Sequence, residues 1–235
     1  MNTFGTLYLV GTPIGNLSDL SQRAVSVLQE ADLIACEDTR TSGSMLRNAG
    51  IETRLTSYHQ HNEHRKTDSL IEHLKSGMDV ALISDAGMPA ISDPGFLIVR
   101  ESHKNGITVV PVPGPSAVIC AVAASGLPSD RFIFEGFPPQ KKGRKTRLAE
   151  IAEEDRTVVL YESPHRLVKL LGELLDVCGE DRLCCVAREI TKKFEEIRRG
   201  TLKELHQEFS SRERIKGEFA IVLSGKSYQE TTTDD

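Results

Sequence analysis

The sequence predicts an α/β protein of two domains, with mixed, largely parallel sheets, and three observations predict it. Short β-rich runs recur along the chain, each followed by a stretch with the 3.6-residue hydrophobic period of a helix. Residues 80–83 and 158–160 are continuously apolar, as strands covered on both faces of a parallel sheet are. Pro111, Pro113, Gly114 and Pro115 then interrupt the alternation near mid-chain, where successive prolines forbid both a helix and a central strand. The expected domains are therefore 1–114 and 115–227. The polar, acidic residues 228–235 show no periodicity and are expected to form a disordered tail.

In chain order, the strands are expected at 6–12, 33–36, 79–84, 107–112, 131–137, 157–161, 183–187 and 219–223. The first helix, 18–31, places Leu20, Ala24, Val27, Leu28 and Ala31 near one face behind a cap at Asn16 or Ser18. Further helices are expected at 63–76, 96–104, 115–124, 144–153, 167–178 and 201–210.

Composition narrows the class without naming a function. At 39% hydrophobic and 27% charged residues the chain has the apolar content for a sizeable core. No run approaches the ~18 to 20 apolar residues of a membrane span, and the first ten residues lack the pattern of a signal peptide, so a soluble, cytoplasmic protein is expected. Five cysteines, none in a CxxC pair, read as reduced core thiols. The net charge is −5, with nine basic and thirteen acidic residues up to Gly114 and twenty and twenty-one thereafter. Any contact with nucleic acid must then be a local patch.

Chemistry is expected where strand ends run into Gly-, Pro-, Asp- and Ser-rich loops, because α/β sheets build their sites outside the carboxyl ends of their strands. Six segments qualify: Gly11-Thr-Pro-Ile-Gly-Asn16, Glu37-Asp-Thr-Arg40, Ser84 through Gly95, Pro113-Gly-Pro-Ser-Ala117, Tyr161-Glu-Ser-Pro-His-Arg166 and Ala187-Arg-Glu-Ile-Thr-Lys192. In the 84–95 loop, Asp85 and Asp93 offer acceptors for an ammonium, a ribose or a sulfonium and disfavour an unshielded phosphate. Asp93 before Pro94 also reads as a helix cap. The segment Lys141-Lys-Gly-Arg-Lys-Thr-Arg147 holds five basic residues in seven beside Phe134, Phe137, Pro138 and Pro139, a composition suited to an RNA backbone. Two motifs are set aside. Residues 220–227 imitate a phosphate-binding loop but lack the helix that would follow it. His59, His61 and His64 lack a fourth ligand at metal-site spacing and read as a substrate-side loop, so no metal is expected.

Taken together in this order, and with Phe134-Glu-Gly-Phe137, these motifs resemble the ribosomal RNA small-subunit methyltransferase I family, within the tetrapyrrole-methylase-like (class III) S-adenosylmethionine enzymes. The match runs from about Leu7 to Gly225. The resemblance implies two α/β domains with the methyl donor in the cleft between them, a homodimer, and 2′-O-methylation of a cytidine ribose in the decoding region of small-subunit RNA. It carries donor contacts onto Pro13, Ser84, Asp85, Ala86, Gly87, Pro89, Ser92, Asp93, Pro94, Ser116, Ala117, Tyr161, Glu162, Ala187, Gly217 and Glu218. Two departures stand out: Met88 replaces the family's usual Thr before Pro89, and the family's further C-terminal helical region has no counterpart before the acidic end of this sequence.

For the chemistry, Lys192 is the favoured proton acceptor, provided its pKa is depressed, and reads equally as a phosphate contact or a surface ion pair; Glu37, Asp38 and Glu189 are the alternatives, beside Asp85. RNA contacts are expected from Asn16, Arg40, His61, Lys141, Lys142, Arg144, Lys145, Arg147 and Arg166. The same scaffold also fits a precorrin-type tetrapyrrole C-methyltransferase, or a non-catalytic donor-binding ribosome-assembly factor.

Overall fold

The computed structural model describes residues 4–230, and the chain divides into two compact units, Met1–Ser116 and Ala117–Asp235. The first unit alternates strictly: β1 (Thr6–Val10), α1 (Gln22–Glu30), β2 (Leu33–Cys36), α2 (Thr39–Asn48), β3 (Leu55–Ser57), α3 (Glu63–Lys75), β4 (Val80–Leu82), α4 (Phe96–Lys104) and β5 (Thr108–Val112). Its five strands pair in the order β3-β2-β4-β1-β5, every pair parallel.

The two-residue period of the strands sorts the core into two layers. Leu33, Ala35, Val80 and Leu82 pack with Leu70 and Leu74 of α3 and Ile98 of α4. Ile34, Cys36, Ala81 and Ile83 pack with Ala24 and Leu28 of α1 and Leu46 of α2. Neighbouring strands β2 and β4 therefore send their chains to helices on opposite faces. Their connections diverge at the carboxyl edge, which opens a crevice there.

The second unit runs α5 (Ala117–Ser125), β6 (Phe132–Gly136), α6 (Arg144–Ala152), β7 (Thr157–Glu162), α7 (Leu167–Cys178), β8 (Leu183–Arg188), β9 (Glu196–Thr201), α8 (Leu202–Ser210) and β10 (Phe219–Leu223). Its strand order is β6-β7-β10-β8-β9. Leu148, Leu171 and Leu205 of α6, α7 and α8 cover one face through Val158, Leu160, Val186 and Ile221. Val118 and Val122 of α5 cover the other through Val159, Cys185 and Val222. Thr201 closes the start of α8 with a reciprocal capping box to Glu204.

Several elements depart from the sequence reading. The second sheet is not largely parallel: only β6 and β7 run together, and the other three pairings are antiparallel. The apolar run 158–160 reflects helices on both faces, which burial alone cannot distinguish from parallel pairing. Three elements were not anticipated, namely α2, β3 and β9. The cap of α1 is Ser21, while Asn16 caps a short 3-10 turn at Leu17–Asp19. Gly95, not Asp93, stands at the N-terminus of α4. Tyr228 packs against the α5 side of the second core and Arg199 pairs with Glu230, so residues 228–230 are attached to the fold. Residues 231–235 lie outside the described ones. Among the described residues all five cysteines are free thiols and no helix is long and apolar enough to cross a membrane.

Candidate active site

The carboxyl ends of β1, β2, β4 and β5 lead into the loops at 11–16, 37–38, 83–95 and 113–116. They are tied to one another through the backbone. Thr12 and Gly87 exchange N–H to carbonyl bonds of 2.9 and 3.1 Å, and the buried Thr12 hydroxyl donates to the Ser84 carbonyl at 3.1 Å. Gly11 faces Gly114 so closely that a Cβ on Gly11 would stand 2.6 Å from the Gly114 Cα and 2.7 Å from the Met88 sulfur. No side chain fits there. Beyond Pro89 the chain turns through Ala90 and Ser92 at φ of 67° and 65°, a region costly for residues with a Cβ and concentrated at functional sites. Glu63 of α3 fixes the end of this loop by accepting from the Gly95 N–H at 3.3 Å.

Three carboxylates gather where β2 and β4 diverge. The Asp85 N–H donates to Glu37 Oε1 at 3.3 Å, and the Ser42 hydroxyl of α2 donates to Asp85 Oδ1 at 3.4 Å. Burial raises the pKa of Glu37, and the Asp85 charge adds to it; the Asp85 N–H and His59 oppose the rise. Burial, then the charges of Glu37 and Asp85, push Asp93 up to about 6 against the bond from Ser84. No lysine or arginine pairs with Glu37, Asp85 or Asp93 among the described residues.

In the second unit Tyr161, Ala220 and Ala187 stand side by side across β7, β10 and β8. All three belong to the layer under α5. Gly217 adopts φ 102°, and a Cβ there would meet the Glu189 side chain; the Glu218 N–H donates to Glu189 Oε1 at 3.0 Å. Glu162 carries a different load from the one expected. Its buried carboxylate accepts from Arg166 Nε at 2.7 Å and from the Ser163 N–H at 2.8 Å, with Arg144 3.8 Å away.

The proton-acceptor candidates separate clearly. Lys192 donates to Glu218 at 2.8 Å and to Glu189 at 3.1 Å. Burial alone would lower its pKa, but these bonds outweigh burial and raise it, so the depressed pKa that a lysine base requires is absent. Glu189 is lowered against its burial by the Glu218 N–H and Lys192. Asp38 caps α2 through the Arg40 N–H at 2.8 Å, and that bond with the Arg40 side chain lowers its pKa. Of these proton-acceptor candidates Glu37 is the one with a raised pKa, and it stands beside the 84–95 loop.

The basic candidates separate as well. Arg144 is only 5% exposed, bound to Glu173 and to the Pro139 carbonyl, so it is not available to a phosphate. Arg147 is paired with Glu135 and Glu150, Arg166 with Glu162, and Arg40 with Asp38. Lys141, Lys142 and Lys145 are exposed and join no ion pair among the described residues. Asn16 and His61 are exposed too; His59 is turned inward, with Asn62 Nδ2 3.1 Å from its Nε2. Thr12 and Ser42 were not singled out from the sequence, since each works through contacts 72 and 43 residues away.

The family model described as Tetrapyrrole (Corrin/Porphyrin) Methylases matches residues 6–206. A protein of Pseudomonas aeruginosa named "Ribosomal RNA small subunit methyltransferase I" is 52% identical over 94% of this chain and 79% of its own length. Its counterpart in Escherichia coli O157:H7 is 49% identical over 97% of this chain and 81% of its own length. Among solved structures, cobalt precorrin-4 methyltransferase superposes with a TM-score of 0.66 at 21% identity, covering 93% of this chain and 94% of that one. Uroporphyrin-III C-methyltransferase from Thermus thermophilus gives 0.66 at 21% identity, covering 94% and 95%. At that identity the two structures establish the fold alone. The chain thus belongs to the tetrapyrrole methylase family and, within it, to the ribosomal RNA small subunit methyltransferase I group.

Proposed function

We propose that this chain methylates the 2′-oxygen of a cytidine ribose in the decoding region of 16S ribosomal RNA, with S-adenosylmethionine as the donor and a homodimer in the cytoplasm as its working form. The observation that carries the reading is the crevice between β2 and β4, where Glu37, Asp85 and Asp93 stand without a basic partner among the described residues. Relatives of about half identity, named for small-subunit ribosomal RNA, support the acceptor.

The residues present fit such a donor. The glycine pair Gly11 and Gly114 leaves backbone rather than side chains on the loop surface, and the carboxylates offer charge opposite to an ammonium and a sulfonium. When bound, the donor supplies an electrophilic methyl group. Asp85 and Asp93 would hold its cationic groups, with backbone from Pro13, Ser84, Ala86, Gly87, Pro89, Ser92 and Pro94. Ser116 would complete its contacts in this unit; the resemblance alone assigns Ala117, Tyr161, Ala187, Gly217 and Glu218 of the second unit to the donor, whereas Glu162 is held by Arg166 and the Ser163 N–H. Glu37 takes the proton from the ribose hydroxyl, because a carboxylate whose pKa is raised accepts a proton more readily than an ordinary one. Alignment contributes most: orientation of two reactants supplies ~7 to 11 kcal/mol, a base ~10²- to 10⁴-fold. Lys141, Lys142 and Lys145 hold the RNA backbone.

The test is transfer of labelled methyl from S-adenosylmethionine to small ribosomal subunits from cells lacking the gene, with the product mapped by resistance to alkaline cleavage. Label at one 2′-oxygen in the decoding region is expected. Label on a porphyrinoid instead, or donor binding with no transfer to RNA, would overturn the reading in favour of a tetrapyrrole enzyme or a non-catalytic factor.

A further inference from the structure

The second unit contains a cavity of about 520 Å³ that none of these roles uses. It opens between α6 and the loop joining β6 to α6. The buried side chains of Leu160 and Ile151 line it, along with Phe137, which is 57% exposed. Thr146 and the ion-paired Arg147 with its partners Glu135 and Glu150 add polar groups to the lining. A bulge in the pairing of β6 with β7, between Phe134 and Gly136, precedes Phe137. Leu160 and Ile151 belong to the layer under α6, α7 and α8, whereas Tyr161 and Ala187 belong to the layer under α5. The cavity therefore lies on the opposite face of this sheet from Tyr161 and Ala187. Phe137 reaches toward Tyr161, its ring 5.5 Å away.

Size, shape and charge select an occupant. The volume lies within the ~300 to 1,000 Å³ of small-molecule sites, and apolar residues with a few polar groups are the usual lining. An exposed aromatic ring beside prolines offers a stacking face, which every base can use. The neighbouring charge is equally specific: Arg144 and Arg147 are neutralised by carboxylates, while Lys141, Lys142 and Lys145 on the same loop and first helical turn are exposed and unpaired among the described residues. Three lysines beside a stacking pocket are complementary to a polyanion that carries a flat ring. We propose that this cavity takes one unstacked nucleobase of the RNA strand, stacked on Phe137, with Lys141, Lys142 and Lys145 on the flanking phosphates. The proposal rests on the RNA reading above and assigns that reading a subsite.

The test uses the full chain and a fluorescent single-stranded decacytidylate, with affinity read by anisotropy across a salt series and the melting temperature recorded for each variant. Phe137→Ala removes the stacking face, and Thr146→Phe, at an exposed position, fills the cavity from its lining. Each is expected to weaken binding about 5- to 150-fold, the span of one base–aromatic stack, with melting unchanged. Replacing the three lysines with Ala should lower the slope of log affinity against log salt by about 2, at roughly 0.7 per single-strand phosphate. Wild-type affinity in both pocket variants overturns the subsite, as does failure of the wild type to bind the oligonucleotide while it methylates subunits. Methyl transfer to subunits, run in parallel with the wild type, separates this from the parent reading: lost transfer removes the function, normal transfer with unaffected pocket variants removes only the pocket.

Discussion

The carboxyl edge of the first sheet and the α6–α7 side of the second treat charge in opposite ways. At the first, Glu37, Asp85 and Asp93 meet no lysine or arginine among the described residues, and burial raises Glu37 and Asp93. At the second, the buried Arg144 and Glu162 interlock with the partly exposed Glu173 and Arg166. A charge that is half-buried and unpaired costs stability, so its persistence marks a site awaiting a ligand of opposite sign. A charge that is buried and paired marks the framework, where removing one partner is expensive. Net charge hides the contrast, because each half of the chain is mildly acidic.

The largest effect is expected in the framework. Glu162→Ala leaves Arg166 and the 5%-exposed Arg144 short of a carboxylate, and loss of about 3 to 5 kcal/mol is expected in denaturant unfolding. If the variant kept wild-type stability, the network would be ornamental and the contrast between the regions would collapse. In the crevice the corresponding change strikes rate. Glu37→Gln should fold normally and lose ~10²- to 10⁴-fold in turnover at saturating subunits. In the wild type, turnover should fall on the acid side at a pH above the ordinary glutamate range, as Glu37 is protonated, and Glu37→Gln should lack that limb.

Asp93 sharpens the comparison through stability. Its folded pKa of about 6 lies above the ordinary 3.8, so the protonated form is favoured by folding. That contribution is complete below about pH 3.8 and is lost as pH rises through about 6. Asp93→Asn, which mimics the protonated side chain, should therefore raise the melting temperature of the donor-free protein at pH 8 and leave it unchanged near pH 4. A lower melting temperature at pH 8 would mean that Asp93 is paired in a way the crevice does not show.

Much of the first region was legible in the sequence, because strands followed by Gly-, Pro- and Asp-rich loops announce a carboxyl edge; position recruited Asp85 and the Glu37 loop, whereas Asp93 by itself read as a helix cap and joined the site through the resemblance. The elements that escaped had weak local signals. The α2 segment, Thr39–Asn48, is rich in Thr, Ser and Gly, and owes its helix to the Asp38 cap and to burial of Gly43 and Leu46. The β9 segment, Glu196–Thr201, holds three charged residues among six and survives as an edge strand paired with β8 alone. In the second region the misreading was electrostatic. Five basic residues in seven look like a patch until Glu173, 29 residues from Arg144, and Glu135, 12 from Arg147, claim the arginines. Sequence proximity counts charges; only the fold shows which of them are already spent.

Lys192 tests that lesson at its smallest scale. Sequence offers it as a proton acceptor, beside Arg188 and at the end of a motif, and equally as a phosphate contact or a surface ion pair. The fold instead gives it two carboxylates, Glu189 and Glu218, and these keep it charged against the effect of burial. A lysine that stays protonated accepts nothing from a ribose hydroxyl. What it does provide is a tether between the turn after β8 and the strand entry at Glu218, partly exposed and therefore worth ~0 to 1 kcal/mol. Lys192→Ala should accordingly shift unfolding by no more than about that amount and keep turnover at saturating RNA within about tenfold of the wild type. A loss of ~10²-fold or more, with an alkaline limb in the pH profile that vanishes in the variant, would return the base to Lys192 and reduce Glu37 to a holder of the donor loop.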